Sequence, residues 1–315
     1  MWLHPHPDQA LSLAVQFCAV GRLIGVLELM LVRGELAHSG FLDWTMIGNL
    51  SPHTRMRVGS VIRRAFRLIG PRAFAGVVVV NAVVAAALLV YPSSALLIAT
   101  AVATQLVMIK RHHLTIDGSD QMSLVVLMAC LLGRIGADAV SLRAAVSFLA
   151  AELTLSYFVA GVSKATSSYW RSGSALTIIA QTRMYGHPLV ARVLRTHPAL
   201  GRAAGRSVLV WESLFLLTLT APLPVALAVL AAGVAFHVGC AAVMGLNRFV
   251  WAFAASYPAL LCTNIAIRTG IGVSVADAIT IAAAAVGLLA LAVGGGARPA
   301  IQPGQMAAAA RETRA

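Results

Sequence analysis

The sequence is poor in charge: only 11% of its 315 residues are Asp, Glu, Lys or Arg, against about 25% in an ordinary soluble domain. The shortfall is made up by apolar residues, 59% of the chain, with a mean hydropathy of +0.84. A soluble fold of this size has too little interior to hide so much apolar surface, so that class is excluded. Lysine is almost missing, with Lys110 and Lys164 set against 22 arginines. Cysteine is scarce, and Cys18, Cys130, Cys240 and Cys262 all fall within apolar runs without a CxxC pair; a disulfide framework or a structural zinc site is therefore not expected. Aromatic residues make up 6% and do not interleave with the basic ones, which leaves no platform for single-stranded nucleic acid despite a net charge of +13. The apolar runs are continuous rather than alternating, which argues against a transmembrane barrel. No basic segment with a cleavage site opens the chain, so a removable signal peptide is not expected. Ala- and Arg-rich usage suggests a high-GC bacterial source.

What the sequence does have is a series of apolar spans. A hydrocarbon core of about 30 Å is crossed by about 20 helical residues. That rule marks nine spans, 11–32, 73–91, 94–110, 121–138, 143–163, 206–221, 224–245, 249–267 and 276–293, of which 94–110 and 206–221 are short. The expected fold is an all-α, polytopic helical membrane protein with eight or nine crossings in a single domain, 1–293, followed by a flexible tail, 294–315. Prolines in APLP (221–224) break the sixth span from the seventh. Most of the cations fall in the segments 33–72, 110–111, 164–206 and 248 and in the tail, which nine spans place on one face. The positive-inside rule then puts the N-terminus outside, the C-terminus in the cytoplasm, and the chain in the cell membrane. Residues 51–72 interleave Val58, Ile62, Phe66 and Ile69 with arginines, the pattern of an amphipathic helix lying on anionic lipid. Residues 172–205 are also amphipathic and are cut by His-Pro at 187–188 and 197–198, as short interfacial or re-entrant helices would be.

Ionisable groups inside apolar spans are costly and mark candidate functional sites. Here they are Arg22, Glu28, Glu152, Lys164, Glu212 and His237, accompanied by Asn81, Gln105 and Asn264. They fit two readings: buried pairs that lock helices together, or chemistry. Arg22 cannot shed its charge and so requires an acidic or carbonyl partner. Asp117 and Asp120, in DGSD, sit in a short connector and are expected to be solvated; no metal site is expected there.

The most informative stretch is SYFVAGVSKATSSYWRSGSAL, residues 156–176. Tyr157, Gly161 and Lys164 follow at i, i+4 and i+7 and share one helix face. Ser156, Ala160 and Ser163 form a neighbouring stripe of small residues suited to close helix contact. Trp170 follows a polar break, where an interfacial aromatic would sit. A lysine at a helix end can simply snorkel to the headgroups. In a chain that otherwise uses arginine, however, lysine supplies something arginine does not, because only an amine becomes a neutral base when desolvated.

This stretch resembles the signature segment of the vitamin K-dependent γ-glutamyl carboxylase superfamily, also called the HTTM (horizontally transferred transmembrane) domain: an aromatic, Ala-Gly, a small residue, Lys, a polar gap, Trp and Gly, matched by Tyr157, Gly161, Lys164, Trp170 and Gly173. CAVGRLIGVLELML resembles the family's first helix with its arginine, Arg22; VWESLFLLTL resembles a later helix bearing Glu212; and AFHVGCAAVMGLNRFV resembles its His-then-Gly-x-Phe helix, with His237, Gly245 and Phe249. The resemblance covers residues 10–265. It implies a membrane enzyme with a quinol (reduced vitamin K-like) cosubstrate, with Lys164 as base and His237 or Glu212 positioning the quinol or relaying protons. Tyr157, Gly161, Trp170 and Arg22 then become candidates for the substrate pocket. The place of that family's Asn-His pair reads DGSDQMSL here, without histidine, and γ-carboxylation itself is not expected. Compact relatives imply an alternative, a non-catalytic membrane partner in the maturation or export of a small secreted peptide toxin. A small-solute transporter is a further alternative, although no inverted repeat is visible.

Overall fold

The computed structural model of the chain describes residues 6–32, 34, 71–111 and 117–270, and every regular element among them is helical. α1 (Pro7–Leu31) begins on a proline whose missing N–H needs no partner in a first turn, and its 25 residues reach about 37 Å at 1.5 Å per residue. α2 (Pro71–Val90) and α3 (Ala95–Arg111) are joined by the turn at 91–94. α4 (Gly118–Gly136) is capped by the Asp117 side chain, which accepts from the amides of Ser119 and Asp120. α5 (Ala139–Thr166) is capped in the same way by Asp138, which accepts from the Ser141 amide at 2.6 Å.

Three short helices follow: α6 (Ser168–Ser172), α7 (Ala175–Ala180) and α8 (Pro188–Thr196). α9 (Pro198–Leu214) then runs on as a 3₁₀ turn, Phe215–Leu219. α10 (Leu223–Met244) returns, and α11 (Asn247–Ala254) and α12 (Tyr257–Thr269) form the last described pass. Among the described residues, six helices are long and apolar enough to cross a membrane: Pro7–Leu31, Arg72–Val90, Gly118–Gly136, Ala139–Thr166, Leu223–Met244 and Asn247–Thr269, with Ala95–Ile109 shorter. Two expectations differ from this. The span placed at 206–221 is a helix that starts earlier, at Pro198, and finishes as a 3₁₀ turn. The span at 249–267 is broken at residues 255–256. The expected span 276–293, most of the amphipathic segment 51–72 and the tail 294–315 lie outside the described residues.

Successive passes run antiparallel. At one end, Arg134 of α4 meets the Asp8 carboxylate, Ser12 stands 3.4 Å from Ser93, and Gln16 donates to the Leu89 carbonyl at 2.9 Å. At the other end, Glu28 of α1, Asp117 and Asp120 of α4 and Arg248 of α11 come together. The core runs through Leu11, Val15, Cys18, Val126, Leu127, Leu149, Leu153, Phe215 and Leu260. α1 lies in its centre, lined by Ala10, Ala14, Ala19 and Gly21, small residues that let neighbouring backbones approach.

Alongside this apolar core the interior holds charged and polar side chains, and the exterior is apolar. Arg22, Asn81, Glu152, Glu212, His237 and Asn264 are buried, whereas Leu27, Val83, Leu96, Leu132 and Ile135 point outward. A helical bundle with an apolar exterior and polar seams is a membrane protein. The polar seam at the 3₁₀ turn is an example. Asn264 Nδ2 donates to the carbonyls of Thr218, Leu219 and Ala221 at 2.9, 3.1 and 2.9 Å, where the helix has no further amides to offer them.

Candidate functional site

The close approach of α5 and α9 builds the site. Gly161 faces Ser213, and a Cβ at Gly161 would stand 2.5 Å from the Ser213 amide nitrogen, so only glycine permits this spacing. The approach sets Glu212 beside Lys164, with Nζ and Oε2 2.6 Å apart. The glutamate side chain is 4% exposed and the lysine 21%, so the pair opens on the lysine side. The chain turns immediately after this lysine. The Ser167 amide donates to the Lys164 carbonyl at 3.1 Å, and Arg171 Nη1 donates to the Ala165 and Thr166 carbonyls at 3.0 and 2.7 Å, closing the helix terminus. The tight turn brings the Trp170 ring to 5.2 Å from the Lys164 ammonium, within cation–π range. The small stripe Ser156, Ala160 and Ser163 is not the contact face: Ser163 is exposed, and the close contact is made by Gly161.

One and two turns deeper lies a hydrogen-bonded row. The Tyr157 hydroxyl is 2.7 Å from His237 Nε2 and 3.1 Å from the Tyr257 hydroxyl. α10 leaves room for this at Gly233, where a Cβ would run into the Tyr257 hydroxyl and the Trp211 ring. Directions in the row follow from counting donors. If His237 donated from Nε2, one of the two hydroxyl protons would find no acceptor and Nδ1 no donor. If Tyr257 donates to Tyr157 and Tyr157 donates to Nε2, only one group is left over, a proton on His237 Nδ1. That count favours a proton on Nδ1, an atom with no partner among the described residues. Trp211 Nε1 is also buried without one. Buried donors without acceptors are rare and call for an explanation.

Aromatic rings enclose this row. Phe215 lies 4.0 Å and Trp211 5.0 Å from the Tyr157 ring. Phe253 stacks on His237 at 4.6 Å, and Phe249 stacks on Phe253 at 5.7 Å. The sequence reading missed Trp211, Phe215, Phe253 and Tyr257; the only local signal was Trp211 standing next to Glu212. The structure thus brings Lys164, Glu212, Tyr157, Gly161 and Trp170 to one seam, with His237 joined to it through Tyr157.

Arg22 lies elsewhere. Its guanidinium donates to Gln105 Oε1 and Thr104 Oγ1, both at 2.7 Å, and to Asn81 Oδ1. The partners are side-chain carbonyls and a hydroxyl rather than a glutamate. Gln105 in turn donates to Asp120 at 3.2 Å. Asp120, Asp117 and Glu28 all hold Arg248, the last two at 3.1 and 3.2 Å. Asp117 and Asp120 are therefore not free in solvent, because the turn before Arg248 delivers a guanidinium to them. Glu152 is buried and forms no hydrogen bond or ion pair with the described residues. Among the described residues, no group of three or more His, Cys, Asp or Glu side chains is placed to hold a metal ion, and all four cysteines are free. Comparison with family models, with curated proteins and with solved structures finds no significant match for this chain.

Proposed function

We propose that the chain is a multi-pass membrane enzyme of the HTTM, vitamin K-dependent carboxylase-like type, acting on an apolar quinol-like cosubstrate with Lys164 as base. The observation that carries this reading is the Lys164–Glu212 pair, 2.6 Å apart, open on the lysine side and set against an aromatic cage. Such a pair has two forms, ammonium with carboxylate and amine with carboxylic acid, related by the shift of one proton along the 2.6 Å separation. A low-dielectric setting weakens the preference for the charged form. In the neutral form Lys164 is a free amine that takes the proton of a substrate hydroxyl, while Glu212 holds the proton it received. His237 Nδ1–H and Trp211 Nε1–H supply donors for a substrate oxygen, and the rings of Phe253 and Trp211 supply flat apolar walls for its ring.

Nine crossings, counting 276–293, accompany this reading. The N-terminus lies outside, the C-terminus in the cytoplasm, and the protein resides in a bacterial cell membrane. Arg72, Lys164, Arg171 and Arg248 support this orientation, because they gather at the end where α1 finishes, while Arg134, Arg143 and Arg268 mark the other end.

The test is to purify the protein in mild detergent, extract it with organic solvent and identify bound quinones by mass spectrometry. The wild type should retain a quinone that Lys164→Met does not, with the fold intact by circular dichroism. No quinone in the wild type, or equal retention in Lys164→Met and Lys164→Arg, would leave the pair as a helix lock. The second reading, a non-catalytic partner of a small secreted peptide, would then take precedence.

A further inference from the structure

Between Glu152 and Glu212 the sequence has no acidic residue, yet residues 168–206 carry Arg171, Arg183, Arg192, Arg195, Arg202 and Arg206. All six are exposed, and among the described residues none meets a carboxylate. The same segment exposes apolar side chains: Tyr169, Ile178, Met184, Leu189, Val193 and Leu200. Its own core is a satellite of Ala180, Ala191 and Leu194 backed by Leu176 and Val190, separate from the core of the bundle. Three buried side chains, two of them alanine, cannot carry a water-exposed unit that also leaves six large apolar residues uncovered.

We infer that residues 168–206 form a docking cap for the headgroup layer of an anionic lipid leaflet. Arginines interleaved with exposed apolar side chains match a boundary that is anionic above and hydrocarbon below. The arginines bind lipid phosphates, for which a planar guanidinium offers paired donors. The exposed Leu189, Val193 and Leu200 lie in the acyl margin beneath. α6, carrying Arg171, leaves directly from the end of α5, so the cap rests beside the exposed edge of Lys164. The surface carries no acidic residue, which disfavours a basic partner and favours an anionic one.

The full chain in detergent, offered equimolar phosphatidylglycerol and phosphatidylcholine and analysed by native mass spectrometry, tests this. The wild type should retain phosphatidylglycerol with a preference of about tenfold, each arginine near an anionic surface adding to the attraction. Raising salt from 0.1 to 1 M shortens the Debye length from about 10 to about 3 Å and should shrink that preference. The variant with Arg192, Arg195, Arg202 and Arg206 changed to Gln should lose most of the preference, and the same four changed to Lys should keep most of it, which separates loss of charge from loss of fold. No preference in the wild type, or an unchanged preference in the Gln variant, would overturn the inference. So would soluble polyglutamate displacing all bound phosphatidylglycerol without detergent exchange, since the cap would then be a protein-binding surface.

Discussion

Two of the cations in the polar seams of this bundle, Arg22 and Lys164, are held in opposite ways. Arg22 is 5% exposed and is ringed by neutral acceptors, the carbonyls of Asn81 and Gln105 and the hydroxyl of Thr104. Lys164 is partly open and has one full negative charge at 2.6 Å and an indole face at 5.2 Å. A guanidinium never gives up its proton, so dipoles that fix its position satisfy it and nothing can move. An ammonium facing a carboxylate has a proton to exchange. The difference separates a bolt from a candidate site: the first seam runs through Gln105 to Asp120 and Arg248, and the second leads to His237 Nδ1 and Trp211 Nε1, buried without partners among the described residues.

Substitutions sharpen this contrast, and ranked by stability the first should be the most severe. Arg22→Leu leaves Asn81, Thr104 and Gln105 without their common donor and should cost about 3 kcal/mol or more, at about 1–3 kcal/mol for each buried acceptor left unpaired; a fall in Tm of the detergent-solubilised protein measures it, and a fall no larger than that of a surface variant would abolish the bolt. Gly161→Leu forces α5 away from Ser213 and should cost about 1–3 kcal/mol as an overpacked contact, with loss of a cysteine crosslink engineered between positions 164 and 212 as the structural check. Tyr257→Phe removes the donor that sets the direction of the Tyr157–His237 row, at about 0.5–1.5 kcal/mol for one hydrogen bond. Its signature is spectroscopic: the wild type should show the His237 proton on Nδ1 by nitrogen NMR, and the variant should show a mixture. The smallest change should come from Lys164→Met with Glu212→Gln, which replaces a buried pair by groups of similar volume and should leave stability within about 1 kcal/mol. The same double variant should lose quinone retention, whereas a bolt replaced in this way would lose nothing but charge.

The sequence showed one side of the site and not the other. Tyr157, Gly161 and Lys164 were readable as one face because a single helix carries all three and its period is fixed. Glu212 and His237 stood out because charge is rare in an apolar span. What they touch was not readable. Tyr257 reaches Tyr157 across 100 residues, Arg248 reaches Glu28 from much further along the chain, and Arg22 takes partners from two other helices. Those meetings depend on which helices neighbour one another, and hydropathy carries no information on neighbours. Apolar spans were read well where length decides and less well where a helix changes character, as at residues 215–219 and 255–256. There the break depends on side chains from another helix satisfying the backbone.

Asn264 shows what such a dependence entails. After Leu219 the ninth helix has spent its own amides, and a lipid interior holds no water to replace them. One amide group on a different helix takes up these carbonyls instead, so the point at which α9 ends is written into α12. Asn264→Leu would leave the Thr218 and Leu219 carbonyls without this donor and Ala221 with only Arg268, and the chain would have to wind further to cover them. A helix that looks independent in the sequence is, at its far end, the property of its neighbour.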